Sequence, residues 1–327
     1  MSMAKIKLLV ISPPDEHVVR NLGALRALSD VSISNDQSEV ERLSQSAEVM
    51  LVSGAGKALN FPQIWQQAKS TRWVHSLSAG VEKLLFPAFI ESSVPLTNAR
   101  GVYKRSLAEF ALLGIMYHYK RVRLMLENQL QRKWAQFNVQ FTIGRVMGIV
   151  GYGETGRECA LLAKGVGMTI HALRRNPNKS DNDPLVDRIF GPQQLHQMLS
   201  GIDVLLCAAP LTAATRHMIS HAEFEVLKPG AIVINLGRGP VIDESALITA
   251  LQSQKLLGAS LDVFEQEPLP EGSPLWGMEN VLISPHCTDW TLEPAADELT
   301  MRFFIENFQR YQRGEPLENI VDKRAGY

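Results

Sequence analysis

Three side chains of complementary chemistry follow short apolar runs in the second half of the chain. Arg238 lies between two glycines, Glu267 precedes a proline, and His286 follows one. An arginine fork suits two-point contact with a carboxylate, and a histidine gives or takes a proton near neutral pH. A carboxylate beside that histidine favours its charged form. The three residues predict a site that binds a small acid through Arg238 and moves a proton through His286, tuned by Glu267.

This set of groups matches what the reduction of a 2-oxo acid requires. As hydride reaches the carbonyl carbon, His286 would protonate the carbonyl oxygen. Arg238 would bind the acid and stabilise the negative charge that develops. Oxidation of the 2-hydroxy acid reverses these roles.

A glycine-rich loop of the form GxGxxG indicates where the hydride donor binds. The loop follows a buried-type strand and opens a helix, which is the context that a dinucleotide-binding fingerprint requires. Its members are Gly151, Tyr152, Gly153, Glu154, Thr155 and Gly156. The pattern predicts a pyrophosphate at the positive end of the helix. The alternative interpretation is a tight strand-to-helix turn without a ligand.

The end of the next strand bears on cofactor choice. Enzymes that use NAD normally carry an acidic residue about twenty residues after the glycine loop, where it binds the ribose diol. This chain has Arg174 and Arg175 there. Two guanidinium groups can pair with a 2′-phosphate, so the residues favour NADP over NAD. The alternative is two solvated loop arginines.

The elements that must position these residues alternate between short apolar runs and amphipathic runs, which is typical of βα units and a parallel sheet. Five strands are expected before residue 100, and a second series begins at the run Val146–Val150 and supplies six or seven strands. The first series is predicted at Ile6–Ile11, Val31–Ser34, Val49–Val52, Trp73–Leu77 and Pro95–Thr97, with helices at Asp15–Ala27, Ser38–Ser46, Pro62–Ser70 and Val81–Glu91.

The domain organisation follows from this alternation and from the last helix. A helical stretch, Tyr103–Gln131, separates the two series, and another, Pro294–Gln312, has no strand after it. Because one helix cannot form a domain, we expect it to return to the first domain. The prediction is an α/β chain with one domain at 1–100 and 291–327, which binds substrate, and a doubly wound NAD(P)-binding domain at 101–290.

Bulk properties exclude several classes of protein. The 327 residues carry 33 Lys and Arg against 34 Asp and Glu, so the charge pattern expected of a nucleic-acid binder is missing. Three cysteines without CxxC spacing favour neither a disulfide framework nor a metal site, and they fit a cytoplasmic protein. No apolar run reaches membrane-spanning length. His217 and His221 have helical metal-pair spacing but no third ligand, so no metal is predicted.

Four motifs in order resemble those of the D-isomer-specific 2-hydroxyacid dehydrogenases. They are Gly144–Gly153, Asn235–Gly239, Asp262–Pro268 and Ser284–His286. The resemblance covers essentially the whole chain. It implies a Rossmann domain inserted into a flavodoxin-like substrate domain, a homodimer, and catalytic roles for Arg238, Glu267 and His286.

The resemblance also implies further binding positions. Asp262 would hold the nicotinamide carboxamide, with Leu236 and Gly237 flanking the ring. Ala209, Pro210 and Thr215 would line the adenosine side, and the amides of Ala79 and Gly80 would contact the substrate carboxylate. Trp290 stands where many relatives have small residues, so it either borders the substrate pocket or packs beside it.

Two other functions remain open from the sequence. One is a dinucleotide sensor or corepressor without catalysis, although retention of Arg238, Glu267 and His286 argues against it. The other is a dehydrogenase of formate or phosphite on the same fold. Formate enzymes carry glutamine in place of Glu267, whereas phosphite enzymes keep the same triad.

Overall fold

A computed structural model describes residues 5–180, 182–290 and 294–327 of the chain. The chain divides into two compact units, which are considered separately below. Unit 1 comprises Met1–Val102 and Thr291–Tyr327, and unit 2 comprises Tyr103–Trp290. Both are built from parallel strands and helices, so the α/β class predicted from the sequence is confirmed. No helix within the described ranges is both long and apolar enough to cross a membrane.

Unit 1 contains a parallel sheet of five strands in the order β2-β1-β3-β4-β5, which is the flavodoxin-like order. The strands are β1 (Ile6–Ile11), β2 (Ser29–Ser34), β3 (Val49–Val52), β4 (Trp73–Ser76) and β5 (Leu96–Asn98). The central strand β3 is buried throughout, as expected of a sheet with both faces covered. All five predicted strands are present, with ends that differ by one or two residues.

Five short helices and the C-terminal helix accompany this sheet. They are α1 (His17–Arg20), α2 (Gly23–Leu28), α3 (Gln37–Ser44), α4 (Phe61–Gln67), α5 (Pro87–Ile90) and the C-terminal helix (Pro294–Arg313). Asp36 caps α3 by accepting a hydrogen bond from the amide of Glu39 at 2.9 Å. Phe304 and Phe308 of the C-terminal helix are buried against Trp73. This last helix therefore belongs to the core of unit 1.

Two helix predictions in unit 1 were wrong. The predicted helix Asp15–Ala27 is interrupted between α1 and α2, where Asn21, like Gly23 at the start of α2, is a weak helix former. The predicted helix Val81–Glu91 is instead a 3₁₀ turn at Glu82–Leu84 followed by α5. Pro87 accounts for the second break, since it lacks an amide hydrogen and forces Phe86 into an extended conformation.

Unit 2 contains a parallel sheet of seven strands in the order β12-β11-β10-β9-β6-β7-β8. The strands are β6 (Val146–Val150), β7 (Thr169–Leu173), β8 (Arg188–Phe190), β9 (Val204–Cys207), β10 (Ala231–Asn235), β11 (Leu256–Leu261) and β12 (Val281–Ile283). Counted along the chain this is the 3-2-1-4-5-6 arrangement of a Rossmann fold with one added strand. The order reverses between β6 and β9, and ligands bind at the carboxyl ends beside such a reversal.

Six helices cover the sheet of unit 2. They are α6 (Lys104–Tyr119), α7 (Val122–Leu130), α8 (Glu154–Gly165), α9 (Leu195–Leu199), α10 (His221–Val226) and α11 (Glu244–Gln252). Asp243 caps α11, accepting from the amide of Ala246 at 3.1 Å. The long helix predicted over Tyr103–Gln131 is in fact two helices, because Arg121 adopts a left-handed φ of 55° between them. No glycine or proline marks this break in the sequence.

Candidate active site

The three predicted catalytic residues leave the carboxyl ends of three adjacent strands in unit 2. Arg238 follows β10, Glu267 follows β11, and His286 follows β12. Parallel pairing aligns these ends, since Asn235 lies opposite Leu261. The fold therefore gathers the three loops along one edge of the sheet.

Glu267 and His286 form a direct pair. The Nδ1 atom of His286 lies 2.7 Å from Oε2 of Glu267. The other carboxylate oxygen of Glu267 accepts a hydrogen bond from the amide of Phe264 at 3.0 Å. Because an ionised carboxylate only accepts hydrogen bonds, Nδ1 must carry a hydrogen, and Nε2 is left to exchange a proton.

The proton affinities of this pair are shifted in complementary directions. The hydrogen bond that Nδ1 of His286 donates to Glu267 raises the pKa of His286 above its ordinary value, although burial and Arg238 oppose the shift. Burial works to raise the pKa of Glu267, but its bonds to His286 and Phe264 outweigh it and lower that pKa. Both shifts favour an imidazolium beside a carboxylate.

The loop that carries His286 is anchored by Asp262. This buried carboxylate accepts from the hydroxyl of Ser284 at 2.8 Å, the amide of Cys287 at 3.1 Å and the hydroxyl of Thr288 at 2.7 Å. Its oxygens thus bind protein groups on both sides of His286. The sequence missed this role, because Asp262 was noted only as a possible nicotinamide contact.

His286 also has an unusual backbone conformation. Its φ is 51°, a left-handed value that is uncommon for residues with a Cβ atom. The hydroxyl of Ser106, near the start of α6, donates to the carbonyl oxygen of Thr288 in the same loop. Such conformations persist where the surrounding structure holds them, and they concentrate at functional sites.

Arg238 is placed by a short loop after β10. The buried Asn235 accepts from the amide of Gly237 and donates to the carbonyl of Arg238, each at 3.2 Å. Gly239 lies so close to the backbone of Phe264 that a Cβ atom there would overlap it. The Arg238 loop therefore touches the loop that leads to Glu267. The positive charge of Arg238 acts to lower the pKa of both Glu267 and His286, although other interactions give His286 a net increase. Arg238 therefore lies within electrostatic range of the pair.

The glycine-rich loop fits a dinucleotide. Gly151 has a φ of 93°, and a Cβ atom there would overlap the backbone of Ala209. A Cβ atom at Gly153, in contrast, would meet nothing within 4 Å, so the loop leaves open space in front of α8. Glu154, Thr155 and Gly156 form the first turn of α8, whose positive end favours an anion.

The predicted adenosine-side residues lie at the ends of β7 and β9. Arg174 is half-buried and Arg175 exposed, directly after β7. After β9, Ala209 is buried beside Gly151, and the hydroxyl of Thr215 donates to the carbonyl of Pro210 at 2.6 Å. Leu236, which was predicted beside the nicotinamide, is buried at the end of β10.

The remaining predicted substrate contacts are Ala79 and Gly80 in unit 1 and Trp290 in unit 2. Ala79 and Gly80 follow β4 in unit 1, and the side-chain amide of Asn98 donates to the carbonyl of Ala79 at 2.6 Å. Trp290 is 81% exposed at the end of unit 2, and its amide donates to the carbonyl of Cys287. His217, for which the sequence predicts no metal despite its spacing to His221, lies 2.7 Å from a carboxylate oxygen of Glu265.

Comparison with known proteins places this arrangement in a family. The family model described as "D-isomer specific 2-hydroxyacid dehydrogenase, NAD binding domain" matches residues 112–288. A glyoxylate reductase of Korarchaeum cryptofilum is 32% identical over 272 residues, which cover 80% of each chain. A glyoxylate/hydroxypyruvate reductase A of Photorhabdus laumondii is 29% identical over 84% of this chain and 90% of the relative.

Solved structures agree with these matches. The D-isomer specific 2-hydroxyacid dehydrogenase of Xanthobacter autotrophicus, in complex with NADPH and MES, has a TM-score of 0.83 and 29% identity. The similarity covers 99% of this chain and all of that one. From its fold, its sequence motifs and these matches, the chain belongs to the D-isomer specific 2-hydroxyacid dehydrogenase family.

Proposed function

We propose that this protein reduces small 2-oxo acids of the glyoxylate and hydroxypyruvate type, prefers NADPH to NADH, and oxidises the corresponding D-2-hydroxy acids in reverse. The observation that carries the proposal is the 2.7 Å pair of His286 and Glu267 with Arg238 in electrostatic range. The names of the two reductases above support the substrate class. The NADPH in the related crystal structure supports the cofactor.

The chemistry divides between the cofactor and three side chains. A bound nicotinamide supplies or accepts the hydride. Arg238 binds the substrate carboxylate through its guanidinium fork and stabilises negative charge on the carbonyl oxygen. His286 donates the Nε2 proton to that oxygen, and Glu267 keeps the imidazole charged and oriented through Nδ1. In the oxidative direction neutral His286 accepts the proton of the hydroxyl group.

The site residues divide into three groups in this proposal. The dinucleotide is bound by the glycine loop together with Ala209, Pro210 and Thr215. Asp262 holds the loop of His286 through its hydrogen bonds. Ala79, Gly80 and Trp290 stay predictions as substrate contacts, and a cytoplasmic location stays a prediction from cysteine usage.

A panel of substrates and cofactors tests the proposal. Purified protein is assayed with NADPH and with NADH against glyoxylate, hydroxypyruvate, pyruvate and bulkier branched or aromatic 2-oxo acids. We expect the highest kcat/KM for a small substrate with NADPH. Tight cofactor binding without turnover of any 2-oxo acid would instead support the dinucleotide sensor. Formate and phosphite are included with NAD and NADP, and faster turnover of either would contradict the 2-oxo acid assignment.

The cofactor preference rests on Arg174 and Arg175. Replacing both with alanine should weaken NADPH binding about tenfold or more, because each loses a charged hydrogen bond to the 2′-phosphate, while NADH binding changes little. The matched control is Arg188→Ala at the start of β8, an exposed arginine over the ring of Phe190. Equal losses for both cofactors in the double variant would remove the preference for NADP.

We also propose that the protein is a homodimer, formed through an extended segment between α7 and β6. Large apolar side chains of this segment face solvent, with Trp134 96% and Phe141 74% exposed. Leu130 at its start and Ile143 at its end are also exposed. Several large apolar side chains exposed in one short segment favour a protein interface there, and a second copy of the chain is the partner that the family resemblance implies.

Light scattering after gel filtration tests the dimer. Trp134→Ser combined with Phe141→Ser should convert it to a monomer, because the interface loses its largest apolar anchors. Trp276→Ser is the control, since Trp276 is an exposed tryptophan outside this segment. A wild-type monomer at micromolar concentration would contradict the homodimer and leave the catalytic proposal intact.

A further inference from the structure

The loop between β7 and β8 carries Arg174 and Arg175 and is tied to α8 by two aspartates. Asp183 pairs with Arg157 in the first turns of α8. Asp187 pairs with Lys164 in the last turn of the same helix. The two ion pairs are alike in chemistry, but they lie at opposite ends of the helix, and only the first is near the glycine loop.

The side-chain carboxylate of Asp183 accepts four hydrogen bonds from residues that the structure describes. Its Oδ2 atom accepts from Nε of Arg157 at 2.7 Å and from the hydroxyl of Tyr152 at 3.1 Å. Its Oδ1 atom accepts from Nη2 of Arg157 at 3.3 Å and from the amide of Leu185 at 3.1 Å. These bonds use about four acceptor positions, which is what a carboxylate offers.

Saturation of Asp183 bears on the choice of cofactor. An acidic residue near the adenosine ribose normally binds the diol of NAD. Asp183 has its lone pairs occupied, so it is not available for that role. Burial works to raise its pKa, but the bonds from Arg157, Leu185 and Tyr152 outweigh it and lower that pKa, so the group is charged at neutral pH. Arg157 neutralises that charge, which would otherwise repel a 2′-phosphate.

Tyr152 joins this pair to the dinucleotide loop. It is the second residue of the GxGxxG motif and only 3% exposed. Its hydroxyl donates a hydrogen bond to Asp183, which lies in the loop that begins with Arg174. The positive charge of Arg174 acts to lower the pKa of Tyr152, against the larger effect of burial. The loop with the arginines is therefore fastened directly to the loop that would face the pyrophosphate.

We propose that Asp183 is a positioning residue for cofactor selection, which holds the loop bearing Arg174 and Arg175 so that the guanidinium groups face the 2′-phosphate of NADP. This inference rests on the proposed preference for NADP. Asp183 does not touch the cofactor in this arrangement, and it acts through Tyr152, Arg157 and the backbone of its own loop.

Two adenosine fragments isolate the effect from catalysis. Adenosine 2′,5′-bisphosphate and adenosine 5′-phosphate differ only in the 2′-phosphate, and their binding to the full-length protein is measured by calorimetry. Asp183→Asn should weaken the bisphosphate about tenfold, because the amide nitrogen cannot accept from Arg157 and the arginine loop is released. The 5′-phosphate should bind as it does to the wild type.

The matched control is Asp187→Asn. Asp187 accepts from Lys164 at 2.6 Å and from the amide of Ile170 at 2.6 Å, so its loss removes an ion pair of the same kind from the same loop. Both variants are compared with wild type by thermal unfolding. If Asp183 were merely structural, the two variants would lower stability and leave the ratio of the two fragment affinities unchanged, which would overturn the proposal.

Other outcomes are equally decisive. Tighter binding of the bisphosphate to Asp183→Asn would show that the carboxylate repels the phosphate, and would also overturn the proposal. If Asp183→Asn does not fold, Tyr152→Phe removes one of the four bonds and should shift the affinity ratio in the same direction by a smaller factor; an unchanged ratio contradicts the proposal. If the wild type binds both fragments equally, the preference for NADP itself fails.

Discussion

Two histidines in different parts of the molecule show how the same side chain acquires opposite proton affinities. His75 lies on β4 in the core of unit 1 and is completely buried, with its Nδ1 atom 2.6 Å from the hydroxyl of Thr97. His286 is partly buried at the carboxyl edge of the unit 2 sheet, with Glu267 at 2.7 Å. Burial lowers the pKa of His75 to about 3, whereas the hydrogen bond of Glu267 raises that of His286.

The difference lies in the partner, because burial opposes the charged form of both rings. Thr97 offers His75 a neutral hydroxyl, which cannot compensate a buried positive charge. Glu267 offers His286 a carboxylate, and the attraction between opposite charges exceeds the cost of partial burial. The contrast between His75 and His286 is therefore set by the partner that the fold brings to each ring.

Removal of the imidazole itself should have the largest effect. His286→Ala should lower kcat for 2-oxo acid reduction by about two to four orders of magnitude, because the group that protonates the carbonyl oxygen is lost. Cofactor affinity, measured by quenching of protein fluorescence, should be nearly unchanged. Steady-state kinetics with NADPH and glyoxylate measure the change in kcat.

A second histidine–carboxylate pair provides the control for this variant. His196 on α9 lies 2.7 Å from a carboxylate oxygen of Glu223, so its geometry resembles that of His286 and Glu267. It is remote from the carboxyl edge, since α9 leads into the amino end of β9. His196→Ala should retain full activity. Equal activity of the two alanine variants would remove the proton-donor role of His286.

The three catalytic residues could be predicted from the sequence because each lies just after a strand, and the strands themselves can be recognised locally. Apolar runs locate the strands, and polar residues that follow adjacent strands must share one edge. Arg238, Glu267 and His286 could be found in this way. The anchoring role of Asp262 could not, because it depends on which loop folds back over the end of β11. The contact of Gly239 with Phe264 is likewise set by tertiary packing.

The fold also has features that the sequence predicts and others that depend on tertiary structure. The predicted strands are present with ends shifted by one or two residues, because continuous apolar runs are strong signals. The break before Pro87 follows from the proline itself. The break at Arg121 could not be predicted, since nothing in its residue type signals a left-handed φ.

Replacement of the carboxylate should move His286 toward the situation of His75. Glu267→Gln keeps the length of the side chain and an oxygen for the amide of Phe264, but removes the negative charge. Reduction requires protonated His286, so its rate at pH 7.5 should fall by about tenfold to a hundredfold. The midpoint of the high-pH decline in kcat/KM should move to lower pH.

The oxidative direction distinguishes this electrostatic effect from damage to the fold. Oxidation requires neutral His286, so loss of Glu267 should let the reaction begin at lower pH than in wild type. Both midpoints thus move in the same direction. A uniform loss of rate with unmoved midpoints would mean that Glu267 only holds the ring in place.

The smallest of these effects concerns His75 and the stability of unit 1. The ring stays neutral in the folded protein down to about pH 3, while in the unfolded chain it takes up a proton below about pH 6.5. Its contribution to stability is therefore complete above pH 6.5 and is lost as the pH falls below it. Between pH 7 and pH 5.5 this histidine should lower the free energy of unfolding by about 1.3 kcal/mol.

Urea unfolding followed through tryptophan fluorescence measures the loss; Trp73, whose ring centroid lies 6.0 Å from that of His75, contributes to the signal. His75→Gln cannot take up the proton, so its stability should decline less between the two pH values, even if the variant is weaker at both. His196→Gln, at an exposed position of unit 2, is the control for the substitution itself. If His75→Gln loses as much stability as wild type over this range, acid sensitivity of unit 1 arises elsewhere, and the contrast between the two histidines has no bearing on stability.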